Sequence, residues 1–452
     1  MTATKTVARA DKISIFATAL VACAGILSET SMNVTFPHLS QVFGLDLGTL
    51  QWITTGYLLS VAITITLGAT LAHNWTERRI LFTSLSVFTL GNVIAMLAPN
   101  FALLMLGRVL QGGATGIAIP LMFNLVVSRV PREHIGLYMG LMGMVVSLAP
   151  AIGPTYGGFM IGNFDWHMIY VCILPVPILS FILSFFNLKN SEKGEKRPLD
   201  VLSFLLLALA LVMSLVAISS LEGGDSINWA YVLIFLISLA LFIWRSLTIE
   251  TPFLDIRVLK RPAILFGILP FLLLQFTNLS ANFLIPNFLV LVQKASTVQA
   301  GFALLPGTML GAFLAPAFGK FYDVKGPKPP LYSGNILLFL ALLVFSFFTD
   351  WLTFPVILGL YILFTLGRNM AFNNTMAFST SQAEREKTAD VTALFQLFQT
   401  FAGALGTAIA AVLVNQAPSI QVGSHRVFTL LLVLVATNFV SYFILFSATK
   451  KA

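Results

Sequence analysis

Residues 28–37 read Ser28-Glu29-Thr30-Ser31-Met32-Asn33-Val34-Thr35-Phe36-Pro37, and residues 277–286 read Thr277-Asn278-Leu279-Ser280-Ala281-Asn282-Phe283-Leu284-Ile285-Pro286. Each stretch lies inside a long apolar run. Each sets a polar residue, an asparagine and a proline at i, i+4 and i+8, 249 residues apart (278 − 29 = 249). Leu106-Gly107-Arg108 returns as Leu366-Gly367-Arg368, 260 residues on (368 − 108 = 260). The turn holding His73 and Arg78 is matched by Gly319-Lys320-Phe321-Tyr322-Asp323-Val324-Lys325-Gly326, 250 residues on (323 − 73 = 250). One echo is cheap, but three in register argue for two homologous halves.

The surroundings of these echoes say what solvent the halves face. Of 452 residues, 57% are hydrophobic and 10% charged, whereas soluble domains carry roughly 25% charged residues. Too few charges exist to coat a water-soluble globule of this size. Apolar runs recur from end to end, each near the ~20 residues that cross a bilayer core as a helix. A β-barrel is excluded, because its strands are short, alternating and polar on one face. Cys23 and Cys172 fall inside apolar runs, so no disulfide framework is implied. The first run, after a polar tail from Met1 to Lys12, is too long for a signal peptide and is read as a retained span.

The runs predict helices at about 13–36, 49–72, 80–98, 101–127, 136–160, 168–187, 200–220, 229–247, 263–291, 300–318, 331–349, 354–378, 390–415 and 428–448. Basic residues follow the inside face of a membrane. With the N-terminus inside, Lys5, Arg9, Lys12, Arg78, Arg79, Arg129, Arg132, Lys189, Lys193, Lys196, Arg197, Arg245, Arg257, Lys260, Arg261, Lys320, Lys325, Lys328, Arg385, Lys387, Lys450 and Lys451 fall on the cytoplasmic side. These are 22 of the 26 basic residues. Lys294 and Arg426 lie outside, and Arg108 and Arg368 within spans. The net charge of +8 therefore reflects topology, and no nucleic-acid partner is expected. The predicted fold is an all-α polytopic membrane protein of fourteen transmembrane helices with both termini cytoplasmic. Residues 13–187 form an N-terminal six-helix bundle and 263–448 a pseudo-symmetric C-terminal one. Residues 188–262 are a linker with two inserted helices. Facing bundles of this kind create a mid-membrane cavity that rocking exposes to either side.

At this point the residues resemble the major facilitator superfamily, and within it the fourteen-span drug:proton antiporters of multidrug efflux type. Glu29-Thr30-x-x-Asn33-Val34-x-x-Pro37 is similar to that family's acid-Thr-x-x-Asn-Val-x-x-Pro signature. Leu50-Gln51-Trp52-x-x-Thr55-Gly56-Tyr57 is similar to its second-span opening, and Gly107-Arg108-x-x-Gln111-Gly112 resembles its buried-arginine motif. Gly143 with Ala149-Pro150-Ala151-Ile152-Gly153-Pro154-Thr155-Tyr156-Gly157-Gly158 resembles the pattern associated with antiporters. Asp165-Trp166-His167-Met168-Ile169-Tyr170 resembles the family's Trp-Arg-Trp-Ile-Phe stretch. The loop pattern Gly-x-Leu-x-Asp-Arg-x-Gly-Arg is altered: Ala69, His73 and Thr76 replace the first glycine, the acid and the second glycine. The resemblance implies a gate here, at His73 and Arg78, and a better-kept second copy at Asp323. Gln399 stands where relatives often have arginine.

Glu29 is the only acid deep within a predicted span, where ionised carboxylates are costly by a few kcal/mol. Desolvation favours the protonated form, the property of a reversible proton carrier. The other readings are a protonated acid used in helix packing, or an acid that binds a cationic substrate without carrying protons. Arg108 cannot shed its proton; it either bonds to the first span and biases Glu29 towards ionisation, or clamps helices together. Arg368 holds the matching place in the second half, where Asn278 replaces the acid. Gln275, Asn278 and Asn282 form one polar face that lines the cavity or bonds to neighbouring helices. Trp52, Tyr57, Phe276 and Phe283 could wall a site for a lipophilic cation. In the fifth span, Gly153, Gly157 and Gly158 permit close helix contact. Pro150 and Pro154 kink the helix, so that it can seal one side of the cavity.

No Gly-x-x-x-x-Gly-Lys-Ser/Thr loop is present, so ATP is not the expected energy source. The chain is expected to be no enzyme, to use no cofactor or metal, and to draw on a proton gradient. The leading expectation is a monomeric antiporter in a bacterial cytoplasmic membrane, exporting lipophilic or cationic drugs against protons by alternating access. The alternative is a proton-coupled carrier of a specific metabolite or organic anion, since Arg108 and Arg368 could bind an anion.

Overall fold

A computed structural model of the chain describes residues 7–131, 134–188, 200–221, 228–250, 252, 254–382 and 387–451. The side chains of residues 69, 73, 135–137, 140, 143, 147, 388, 389, 450 and 451 also lie outside the description. His73 and Gly143 fall there, as do Lys5, Arg132, Lys189, Lys193, Lys196, Arg197 and Arg385 among the basic residues that set the orientation.

Among the described residues the chain is helix and turn, with no strand. The helices are α1 (Arg9–Ser31), α2 (Phe36–Phe43), α3 (Leu47–Ile65), α4 (Gly68–Asn74), α5 (Glu77–Met96), α6 (Phe101–Arg129), α7 (Ile135–Asn163), α8 (Met168–Ile173), α9 (Pro175–Asn187), α10 (Val201–Ser219) and α11 (Trp229–Thr248). They continue as α12 (Pro262–Leu291), α13 (Thr297–Phe302), α14 (Leu305–Lys325), α15 (Lys328–Phe347), α16 (Phe354–Ser381), α17 (Thr388–Asn415) and α18 (Ile420–Lys451).

Local chemistry sets many of the starts. Asp46, Thr76, Asn100, Asp200 and Asn228 each accept a backbone N–H at a helix N-terminus, satisfying donors that the first turn leaves free. Ser296 and Gln299 close a reciprocal capping box on α13. Gly44 ends α2 at φ 65°, a left-handed conformation that glycine adopts without strain.

Among the described residues, thirteen segments are long and apolar enough to cross a membrane. The predicted span 49–72 is not among them. It is built as α3 and the short α4, broken around Thr66 and Leu67. The reason is packing: α3 lies between α6 and α17, and Gln51, Thr54 and Thr55 are buried against protein. A helix shielded from lipid needs less apolar surface. The outer helices show the converse pattern, exposing Phe181, Phe185, Leu233, Leu236, Trp244, Phe313 and Phe443. An apolar surface this extensive matches a bilayer as solvent.

Contacts repeat across the two halves. α1 packs on α6, α7 and α9 as α12 packs on α16, α17 and α18. α5 packs on α6 as α15 packs on α16, and α3 on α6 as α14 on α16. Between halves, α3 meets α17 and α7 meets α13 and α14, which is the same contact seen from either half. The α10–α11 hairpin lies beside this arrangement, with α10 against α3 and α17.

Candidate functional site

α1, α3, α6, α7, α12, α14, α16 and α17 enclose a cavity of about 430 Å³ between the halves, within the range of small-molecule sites. It reaches towards the end carrying the α6–α7 and α16–α17 connections, as far as Phe123, Met376 and Gln396.

Glu29 comes from α1, one turn before the helix tightens into a 3₁₀ turn at Met32–Val34. It is the only carboxylate in the lining, is 8% exposed, and has no hydrogen bond or ion pair among the described residues. Its acid therefore faces the cavity rather than a neighbouring helix. Tyr57 also lines the cavity, donating to Thr115 Oγ1 at 2.7 Å.

Arg108 lies behind this wall, fully buried and outside the lining. Its Nη1 donates to Ser28 Oγ at 2.8 Å and Gln111 Oε1 at 3.0 Å, and Nε to the Ile53 carbonyl at 3.2 Å. Its guanidinium stacks 4.3 Å from the Tyr57 ring centroid. It thus bonds to the first span as a clamp on Ser28, beside Glu29 and without a direct pair to it.

The second half contributes Gln275, Asn278, Asn282 and Arg368 to the lining. Tyr361 donates to Asn282 Oδ1 at 2.6 Å. Arg368 donates to Asn369 Oδ1 at 2.8 Å and to Gln275 Oε1, and lies 3.9 Å from the Phe372 ring centroid.

Of the substrate-binding candidates, which include Asn33 one turn beyond Glu29, four lie outside the lining. Asn33 is buried and accepts from Thr54 at 2.9 Å, and Phe283 is buried against Phe36 at 5.8 Å between ring centroids. Trp52 and Phe276 pack against the main apolar core. The cavity adds residues not singled out from sequence, including Thr308, Gly311, Asn369, Asn373, Gln396 and Thr400. The sequence signal for four of them is the i, i+4 spacing of Asn369 with Asn373 and of Gln396 with Thr400, which places each pair on one helix face; Thr308 and Gly311 carry no such signal.

The walls meet at the opposite end. Pro150 lines the cavity, while Gly153 and Gly157 leave room for Thr30 and Ser31 of α1. Gly158 abuts Thr297, and Gly301 abuts Pro154, so that α7 and α13 touch backbone to backbone. Across the halves, Thr155 donates to the Gly301 carbonyl at 3.2 Å and Thr297 to the Gly158 carbonyl at 3.2 Å. Asn287 Nδ2 donates to the Asn33 carbonyl at 3.3 Å, and the Thr55 and Thr407 hydroxyls pair at 2.9 Å. Asn415 Nδ2 donates to Asp46 Oδ1 at 3.3 Å.

The other gate candidates lie apart from the cavity. Arg78 stacks on Phe82 and Phe185, 5.5 and 5.3 Å from their centroids, and Asp323 is exposed near the end of α14. The backbone of His73 lies in α4. Nearby, Arg129 pairs with Asp11 at 3.2 Å and with Glu77, tying the ends of α1, α5 and α6.

Comparison with known proteins agrees with this architecture. Residues 18–407 match the family model described as Major Facilitator Superfamily. The chain is 33% identical over 395 residues to the lincomycin resistance protein LmrB of Listeria innocua, covering 86% of this chain and 84% of that protein. It is 27% identical over 399 residues to a multidrug resistance protein B homolog of Mycobacterium tuberculosis, covering 85% and 73% of the two chains. In fold it is similar to a POT family transporter solved with 5-aminolevulinic acid, at TM-score 0.71, 15% identity, and coverage of 95% and 96%. A bacterial homolog of the lysosomal transporter Spinster aligns at TM-score 0.70 with 13% identity over 98% of both chains. Repeated helix contacts, a cavity between halves and the family match over most of the chain lead to one conclusion: the chain belongs to the major facilitator superfamily, as a multi-pass membrane transporter.

Proposed function

We propose that the protein is a proton-coupled antiporter, exporting lipophilic or cationic compounds from a bacterial cytoplasm by alternating access. The observation carrying this reading is Glu29, the one carboxylate facing the cavity, with no partner within the chain among the described residues. A group so placed can be neutralised by a proton or by a cationic substrate, and competition between the two couples their movements. The relatives named for lincomycin and multidrug resistance support export of small molecules.

In this proposal α3, with α4 at its end, is the fourteenth span. Residues 13–187 and 263–448 are the two six-helix bundles, and 188–262 holds the inserted pair α10 and α11. Both termini are cytoplasmic by the distribution of basic residues, so the cavity faces inward. Glu29 releases its proton inward, takes up substrate, and is reprotonated after the bundles rock. One chain contributes both cavity walls and is the working unit. Transport of an organic anion is a second reading, favoured by Arg368 in the lining.

The test is ethidium-driven proton movement in proteoliposomes, comparing the native chain with Glu29→Gln. Native protein is expected to exchange ethidium for protons and the variant to lose at least tenfold of that coupled flux, as removal of a titrating site demands. Equal coupled flux in both would place the coupling group elsewhere.

A further inference from the structure

We infer that the cavity has a second recognition point, at Arg368, for an oxygen anion on the substrate. The substrate class is then a bipolar amphiphile, carrying an organic cation for the Glu29 wall and a carboxylate, or a comparable oxygen group, for the α16 wall. This rests on the transport reading above and adds the substrate's second charge to it.

An arginine keeps its charge in any protein setting. The two matched arginines use that charge differently. Arg108 is shut away from the cavity and anchored to Ser28, Gln111 and the Ile53 carbonyl. Arg368 lines the cavity, and its side-chain contacts are neutral: the amide oxygens of Asn369 and Gln275, and the face of Phe372. No carboxylate pairs with it among the described residues, and its buried Nε has no hydrogen-bond partner. Arg108 Nη2 likewise lacks a hydrogen-bond partner, but Arg108 stands outside the cavity lining.

Glu29 does not answer this charge from within the chain, since it forms no ion pair with Arg368 and stands on α1 across the cavity. The side-chain amides of Asn278, Asn373, Gln396 and Gln399 also face the cavity without a hydrogen bond inside the chain, among the described residues. A fixed cation, open amides and an acid that does not pair with it make a wall that prefers an oxygen anion. Guanidinium groups bind carboxylates with charge-assisted, often two-point geometry. A substrate bearing only a cation would leave this wall unanswered.

Two dyes of one skeleton isolate that charge: rhodamine B, with a free carboxylate, and its ethyl ester, with none. Each is titrated against the purified full-length protein in detergent, with fluorescence anisotropy as the readout. Native protein is expected to bind the acid about tenfold or more tightly than the ester, as a charge-assisted hydrogen bond implies. In Arg368→Gln the ratio should fall to about one, and in Arg368→Lys it should lie between, because lysine keeps the charge without the fork. Thermal unfolding confirms that each variant is folded. If Arg368→Gln does not fold, the native ratio and the Lys variant carry the test.

Native protein that binds the ester and exchanges it for protons in proteoliposomes, without preferring the acid, overturns this inference and leaves the transport reading standing. An acid preference that survives Arg368→Gln also overturns it. If neither dye binds, this inference falls, while the transport reading is decided separately by the ethidium exchange.

Discussion

Matched positions on α6 and α16 hold arginines of different character. The difference comes from the helix each one faces. Arg108 finds Ser28 on α1, whereas Arg368 finds Gln275 on α12, which aligns with Ile26 by the 249-residue offset (275 − 249 = 26). Removing a partner of a buried charge leaves that charge unsatisfied, at about 1–3 kcal/mol. Ser28→Ala should therefore lower thermal stability in detergent, measurably by a few degrees, while the cavity-facing Asn373→Ala should leave it near native. Equal effects of the two changes would contradict the clamp role of Arg108. Both arginines were legible in the sequence as a repeat. Their surroundings were not, because spacing along one helix does not say which neighbour comes within reach. Glu29 was legible for a simpler reason, since an acid in an apolar run requires a cavity or a partner. Trp52, Phe276 and Phe283 resemble a cation-binding wall only in their aromaticity, a property the packed core shares.

The element that closes the far end is α7 against α13, and its close approach depends on absent side chains. A Cβ on Gly301 would run into the carbonyl of Pro154, and one on Gly158 into the carbonyl of Thr297. Gly301→Ala must push the two helices apart, and overpacking of this kind costs about 1–3 kcal/mol. In a background lacking Cys23 and Cys172, a cysteine at Thr297 should then react about fivefold or more faster with an impermeant maleimide. Gly359→Ala, at a site with open space around it, should not change that rate. The Gly-Pro cluster of α7 was legible, but its contact α13 was not, because Gly301 stands alone in its stretch.

The same scale covers the α10–α11 hairpin, which Asp200 holds by pairing with Arg245 at 2.9 Å. Partial burial pushes the Asp200 carboxyl up, but hydrogen bonds from Arg245 and Ser203 outweigh this and hold it below the usual carboxylate range. Its stabilisation is therefore present above the ordinary aspartate range and is lost as pH falls through the lowered value. Asp200→Asn should destabilise the protein by about 1 kcal/mol at neutral pH. The gap in unfolding temperature between native and variant should close on acidification; a gap independent of pH would exclude this pair as its source.

At the scale of the whole molecule, α3–α17 and α7–α13/α14 are one contact repeated by the pseudo-symmetry of the halves. In the proposed alternating-access cycle, rocking opens these seams at the far end and exposes Glu29 there. The Thr55 and Thr407 hydroxyls, 2.9 Å apart across the α3–α17 seam, lie where that opening has to occur. Cysteines at both positions, in a background lacking Cys23 and Cys172, place two sulfur atoms within reach of a disulfide or a short bifunctional linker. Cross-linking holds the far end shut while the cavity stays open towards the α6–α7 connection. Ligand binding, measured on the cross-linked protein in detergent, should survive. Transport in proteoliposomes should fall at least tenfold and return on reduction, because a transporter confined to one of its two states cannot complete a cycle. Each single-cysteine variant should transport at a rate unaffected by oxidant, which separates the link from the substitutions. If the cross-linked protein transports at the native rate, the halves do not separate at Thr55 and Thr407, and the moving boundary must be sought along α7, α13 and α14 instead.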